Sequence, residues 1–150
     1  MTDDDLIWGV RAFIYEHFAE STCAPAIDDI ARRFDITSEQ AGQALATLHE
    51  RHALFLEPGT TNVRLANPFS AIPTPFKVDV RGKSYWANCA WDCFGIVVAL
   101  HASEASIYST CAHSGSALCI SITHDQIISM GEIVHVFVPF QHWYDDLVFT

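Results

Sequence analysis

Basic charge is what this 150-residue chain has least of: Lys and Arg number 8 against 18 Asp and Glu, a net charge of −10. The deficit runs along the whole chain. Residues 1–66 carry 5 basic and 11 acidic side chains, and residues 67–150 carry 3 and 7. Neither part offers the positive footprint that a nucleic-acid backbone requires. No uninterrupted apolar run approaches the roughly 18 residues that a membrane-spanning helix needs. The acidic start, Met1-Thr2-Asp3-Asp4-Asp5, is the reverse of a basic signal-peptide leader. The expected location is the cytoplasm. Cys-x-x-Cys and His-x-x-x-His spacings are both missing, so no zinc-site pattern is present. The cysteines are odd in number, 5 in all, and read as free thiols of a reducing compartment rather than as a disulfide framework. Repeats and low-complexity tracts are absent as well.

What is there is apolar. Half of the residues are hydrophobic, which suits a globular protein of one domain or two small lobes. Residues 3–19 place Leu6, Ile7, Val10, Phe13, Ile14 and Phe18 at helical spacing, with Thr2 or Asp3 as the cap. Residues 27–34 suggest a second helix. Thr37 followed by Gln40 is a capping box, and it opens a third helix that runs to about His52. Residues 54–65 then read as a small hairpin. Three helices and a hairpin make a winged helix-turn-helix lobe over residues 1–66. Its third helix displays Glu39, Gln40, Gln43, Thr47, His49, Glu50 and Arg51, a poor groove reader, so a structural lobe is expected rather than a DNA-binding one.

Residues 67–75 hold three prolines in nine positions, Pro68, Pro73 and Pro75, and read as an extended linker. Beyond them, residues 76–150 read as an α+β lobe. Strands are expected at 76–80, 84–86, 105–109 and 117–123, with a turn over 111–116 and a helical turn or loop at 124–127. A strongly apolar strand is expected at 133–137, in the centre of the sheet. One helix lies among them, from Cys89 to about His101, and the strands are expected to be mainly antiparallel and packed around it. An aromatic-acidic cluster, Phe140, His142, Trp143, Tyr144, Asp145 and Asp146, closes the chain.

The chemistry concentrates at the start of that helix. Cys89 and Asp92 are three apart, and Cys89 and Cys93 four apart, so all three side chains share one helical face. At a helix N-terminus the dipole favours thiolate over thiol. A soft thiolate beside a proton-carrying carboxylate suits soft-metal chemistry with acid–base assistance. The same spacing also suits two core cysteines with a first-turn aspartate.

The stretch Tyr85-Trp86-Ala87-Asn88-Cys89-Ala90-Trp91-Asp92 resembles the Cys-Ala-x-Asp motif of the organomercurial (alkylmercury) lyases. The resemblance continues through residues 109–115, 120–123 and 134–139, and extends weakly over the N-terminal part. It implies cleavage of a carbon–mercury bond by protonolysis. Cys89 would be the attacking thiolate, and Asp92 would take a thiol proton and pass it to the carbanionic leaving group. No resident cofactor is implied. Mercury(II) would stay on sulfur as product until cellular thiols remove it. Burial among Trp86, Trp91 and Phe94, the expected pocket, would raise the Asp92 pKa. Cys111 would be a structural thiol.

The sequence departs from the family at one point. The second mercury-binding cysteine of these lyases would align at or just beyond Thr150. Three explanations stand. The chain is truncated before a cysteine or selenocysteine, Cys93 substitutes from the same helix as a metal ligand beside Cys89, or the protein binds soft metals or organometals without cleaving them. A metal-responsive regulator built on the winged helix is a further alternative, against which the acidic charge argues.

Overall fold

A computed structural model describes residues 3–129 and 131–145; the proposed cap Thr2, Asp146 and Thr150 lie outside them. Contacts divide the chain after Pro73 into two compact units.

In the first unit, helix α1 (Asp3–Ser21) opens on three aspartates that complement its dipole, and it buries Val10, Ile14 and Phe18 at i, i+4 spacing. Helix α2 (Ile27–Phe34) starts where Asp29 Oδ2 accepts the Ala26 N–H at 3.1 Å, and it ends on Asp35 in the left-handed conformation. Helix α3 (Ser38–Glu50) carries the reciprocal cap read from the sequence. Thr37 Oγ1 accepts the Gln40 N–H at 3.1 Å, and Gln40 Oε1 accepts the Thr37 N–H at 2.9 Å. Ala41, Ala44, Leu45 and Leu48 form its buried stripe. Strands β1 (Phe55–Leu56) and β2 (Val63–Ala66) form the hairpin, whose turn uses Gly59 at φ 72°. At the end of α3, Arg51 is paired with Asp4 at 2.8 Å.

The proline-rich stretch is less of a linker than its composition implies. Strand β3 (Phe69–Ser70) pairs antiparallel with β2, and Phe69 is 2% exposed. Its ring stacks on Phe18 at 5.3 Å between centroids, so burial of one aromatic draws this segment into the first unit.

The second unit is an antiparallel sheet with one helix. Strands β4 (Lys77–Val80), β5 (Lys83–Ala87), β6 (Ala105–Thr110), β7 (Ala117–Thr123) and β8 (Gln126–Ile128) lie in the order β5-β4-β6-β7-β8. Helix α4 (Ala90–Ala99) packs on β4, β5 and β6. Val78 and Val80 of β4, Tyr85 and Ala87 of β5, and Ile107 of β6 meet Cys93, Ile96 and Val97 of α4 in one core. Arg81, in the β4–β5 turn, donates to the Leu100 and His101 carbonyls at 3.1 and 2.9 Å, satisfying acceptors that the helix end leaves free.

Two expectations are corrected here. Residues 124–127 are not helical, and the loop is only two residues long. His124 and Asp125, at φ 51° and 62°, form a two-residue hairpin turn into β8, with Thr123 opposite Gln126. Residues 133–137 form no strand. Gly131, at φ 98°, turns the chain after β8, and Ile133 and Phe137 are 89% and 80% exposed. An apolar run becomes a strand only where its backbone joins a ladder, and among the described residues no strand pairs with this one.

Candidate active site

The site begins where β5 runs out. Ala87 is the last strand residue, and Cys89 is the N-cap of α4 with extended backbone, φ −145° and ψ 176°. Its carbonyl accepts the Cys93 N–H at 3.2 Å, which closes the first turn. Asp92 falls at the third helical position and Cys93 at the fourth, both on the face that packs against the sheet. Asp92 is 9% exposed, Cys93 is fully buried and Cys89 is half-buried. An N-cap residue thus leaves its sulfur partly open to solvent while the next turn faces inward.

The thiols are protonated more firmly than a helix-dipole argument implies. Burial pushes the Cys89 thiol up, as do the neighbouring Asp92 charge and a side-chain hydrogen bond in which the thiol meets the Asp92 carboxyl. The Trp91 and Asp92 amides pull the other way, but the sulfur makes no full N-cap hydrogen bond, and desolvation prevails. The sequence-based expectation of a dipole-stabilised thiolate is therefore reversed. Cys93 is pushed up to about 12, first by burial and then by the Cys89 and Asp92 charges beside it. Thiol, carboxyl and thiol sit within one another's electrostatic reach.

Two of the three aromatic residues expected around Asp92, Trp91 and Phe94, line a different face of the helix. Trp91 is 66% exposed, Phe94 is half-buried, and Trp86 is half-buried on β5. Trp91, Phe94, Val98 and His101 lie on the helix face away from Cys89 and Cys93. With Val97, Ile122, Ile127 and Val134 they line an open apolar groove of about 710 Å³. Residue 91 is one step from residue 92 in sequence but about 100° away around the helix, so it cannot shield the same carboxyl.

The remaining candidates stay apart. Cys111 follows β6 in a turn where its carbonyl accepts the Gly115 N–H at 2.8 Å. Hydrogen bonds from Ser114 and the His113 amide hold its thiol below the usual range. Cys23 and Cys119 are exposed. His142 pairs with Asp145 at 2.9 Å, and the His135 ring contacts Phe137. Among the described residues, no group of three or more His, Cys, Asp or Glu side chains converges as a metal cage.

Fold and site together define a small α+β protein with a half-buried thiol at a helix N-cap and a buried carboxyl and a buried thiol in the turn that follows, the three within electrostatic reach of one another. The alkylmercury lyase family model, MerB, matches residues 69–147, which include the whole site. That span is more than half of the chain, and the protein belongs to the alkylmercury lyase family. Among solved structures, the mercury-bound form of MerB2 superposes with a TM-score of 0.66 at 18% identity, over 83% of this chain and 59% of that one. The likeness carries the fold, and the present chain spans 59% of that relative's length. No curated protein sequence matches.

Proposed function

We propose that this chain is an organomercurial lyase that cleaves the carbon–mercury bond by protonolysis. The observation that carries the reading is the half-buried Cys89 thiol at the N-cap of α4 with the buried Asp92 carboxyl in the first turn after it, close enough for its charge to act on the thiol, within the span matched by the family. In the first step the Cys89 proton moves to Asp92. The thiolate then displaces the cellular thiolate that delivered the organomercury cation, leaving mercury bonded to Cys89 Sγ and carbon. Cys93 supplies the second sulfur, and its proton leaves with the displaced thiolate. Protonated Asp92 now donates to carbon. The mercury–carbon bonding pair becomes the new C–H bond, the hydrocarbon departs, and Asp92 is again a carboxylate. Mercury(II) remains between two sulfurs until two cellular thiols exchange onto it and return protons to Cys89 and Cys93. Soft thiolate ligation suits soft mercury, and the partly buried setting keeps the proton on the carboxyl–thiol pair rather than in water.

The high Cys93 thiol pKa favours a second reading, capture without cleavage, because a thiol that holds its proton to about 12 is slow to become a ligand. Phenylmercury with excess thiol separates the two. Benzene is expected from the wild type, nothing from Cys89→Ser, and about 10²-fold or more slowing in Asp92→Asn, with mercury still bound. One phenylmercury retained per chain without benzene would leave capture alone standing.

A further inference from the structure

Thr74 lies at the start of the second unit, between Pro73 and Pro75. A residue before proline is confined to extended backbone, and each proline fixes its own φ, so the side chain is presented from a stiff segment. Its hydroxyl is the centre of a small knot. Thr74 Oγ1 donates to the Ala87 carbonyl at 2.5 Å, with the Phe76 carbonyl a second acceptor at 3.2 Å, and it accepts the Phe76 N–H at 3.1 Å. The Ala87 N–H in turn donates to the Phe76 carbonyl at 3.0 Å. Both polar groups of the last β5 residue are therefore tied to the 74–76 segment. Ala87 is fully buried, so its carbonyl has no water to turn to. One residue, Asn88, separates it from Cys89.

We infer that Thr74 is a positioning residue for the reacting thiol: its hydroxyl fixes the strand-to-helix corner from which Cys89 is aimed at Asp92. The inference rests on the lyase reading for its catalytic consequence, and on geometry alone for its mechanical one. Cys89 has non-helical backbone as the N-cap of α4 and is joined to the buried, doubly tied Ala87 through one residue, so its side-chain direction follows from where Ala87 is held. Removing the hydroxyl leaves the buried Ala87 carbonyl short of a partner and lets the corner rotate. A shift of about 1 Å in a reacting group can cost up to 10²-fold in rate.

The test uses the full chain with Thr74→Val, which keeps shape and loses the hydroxyl, and Thr74→Ser, which keeps the hydroxyl. Thr74→Ala replaces Thr74→Val if the latter fails to fold. For benzene release from phenylmercury, Thr74→Val is expected to lose about tenfold or more in kcat with KM changed less than about threefold, and Thr74→Ser to recover most of it. A second readout is independent of turnover. The iodoacetamide alkylation rate of Cys89 in the metal-free chain, followed by peptide mass spectrometry, should rise at least about threefold in Thr74→Val as the sulfur loses its fixed, half-buried setting. If the wild type makes no benzene but Cys89 alkylation responds in this way, the lyase reading falls and the positioning role stands. If folded Thr74→Val matches the wild type in alkylation and, where benzene is made, in kcat, or if it loses only thermal stability, the positioning role is overturned.

Discussion

Replacing Cys93 with alanine should flatten the alkaline limb of the stability curve. The Cys93 thiol is fully buried and holds its proton to about 12 in the folded chain, against an ordinary 9.0 when unfolded. Below the unfolded value both states are protonated, and the preference for the neutral thiol is fully present as stability. Between the two values the unfolded chain has released the proton and the folded chain has not, so folding weakens as pH rises. The slope is about 1.4 kcal/mol per pH unit, and at about pH 10.5 the loss is roughly 2 kcal/mol. Cys93→Ala also leaves a small void, which costs about 1 kcal/mol or more at every pH. Cys89 is shifted in the same direction and remains in both proteins, so the difference in slope isolates Cys93. The assay is urea unfolding in reductant at about pH 8 and about pH 10.5, with the wild type losing roughly 2 kcal/mol more than the variant between them. Equal losses would mean that the Cys93 proton is not held by the fold, and the electrostatic account of the site would go with it.

Phe18→Ala should cost about 3–5 kcal/mol in urea unfolding, because it removes a fully buried ring and strips Phe69 of its stacking partner. Trp91→Ser should change stability by less than about 1 kcal/mol and leave the rate of benzene release unchanged, since the ring lies exposed on the far face of α4. At neutral pH Cys111 should be alkylated faster than Cys89, whose thiol is shifted the opposite way; peptide-resolved mass spectrometry at short times checks the order.

The sequence made visible the features that depend on short spacings. The Thr37–Gln40 cap, the buried stripes of α1 and α3, and the grouping of Cys89, Asp92 and Cys93 all follow from residues three or four apart. Features set by distant partners were hidden. The apolar content of residues 133–137 suggested a central strand, but pairing depends on distant backbone partners that composition does not reveal. The helix start suggested a thiolate at Cys89, yet partial burial and the neighbouring Asp92 charge outweigh the dipole. Trp91 was grouped with Asp92 by adjacency, and helical rotation carries it away. Thr74 read as one more residue of a proline-rich connection, because its acceptor, the Ala87 carbonyl, lies 13 residues further on.

Arg81 gives the β4–β5 turn an importance that surface hairpins do not ordinarily have. Such loops usually tolerate length changes, but this one carries a guanidinium locked onto the two carbonyls at the far end of α4. A one-residue insertion between Arg81 and Gly82 would push that anchor off its acceptors while β5 still delivers the chain to the other end. The helix would then have to choose which terminus to keep in place. Loop grafting in this scaffold should therefore be confined to other connections, and natural relatives that change this turn should also change the means by which they fasten the end of their helix.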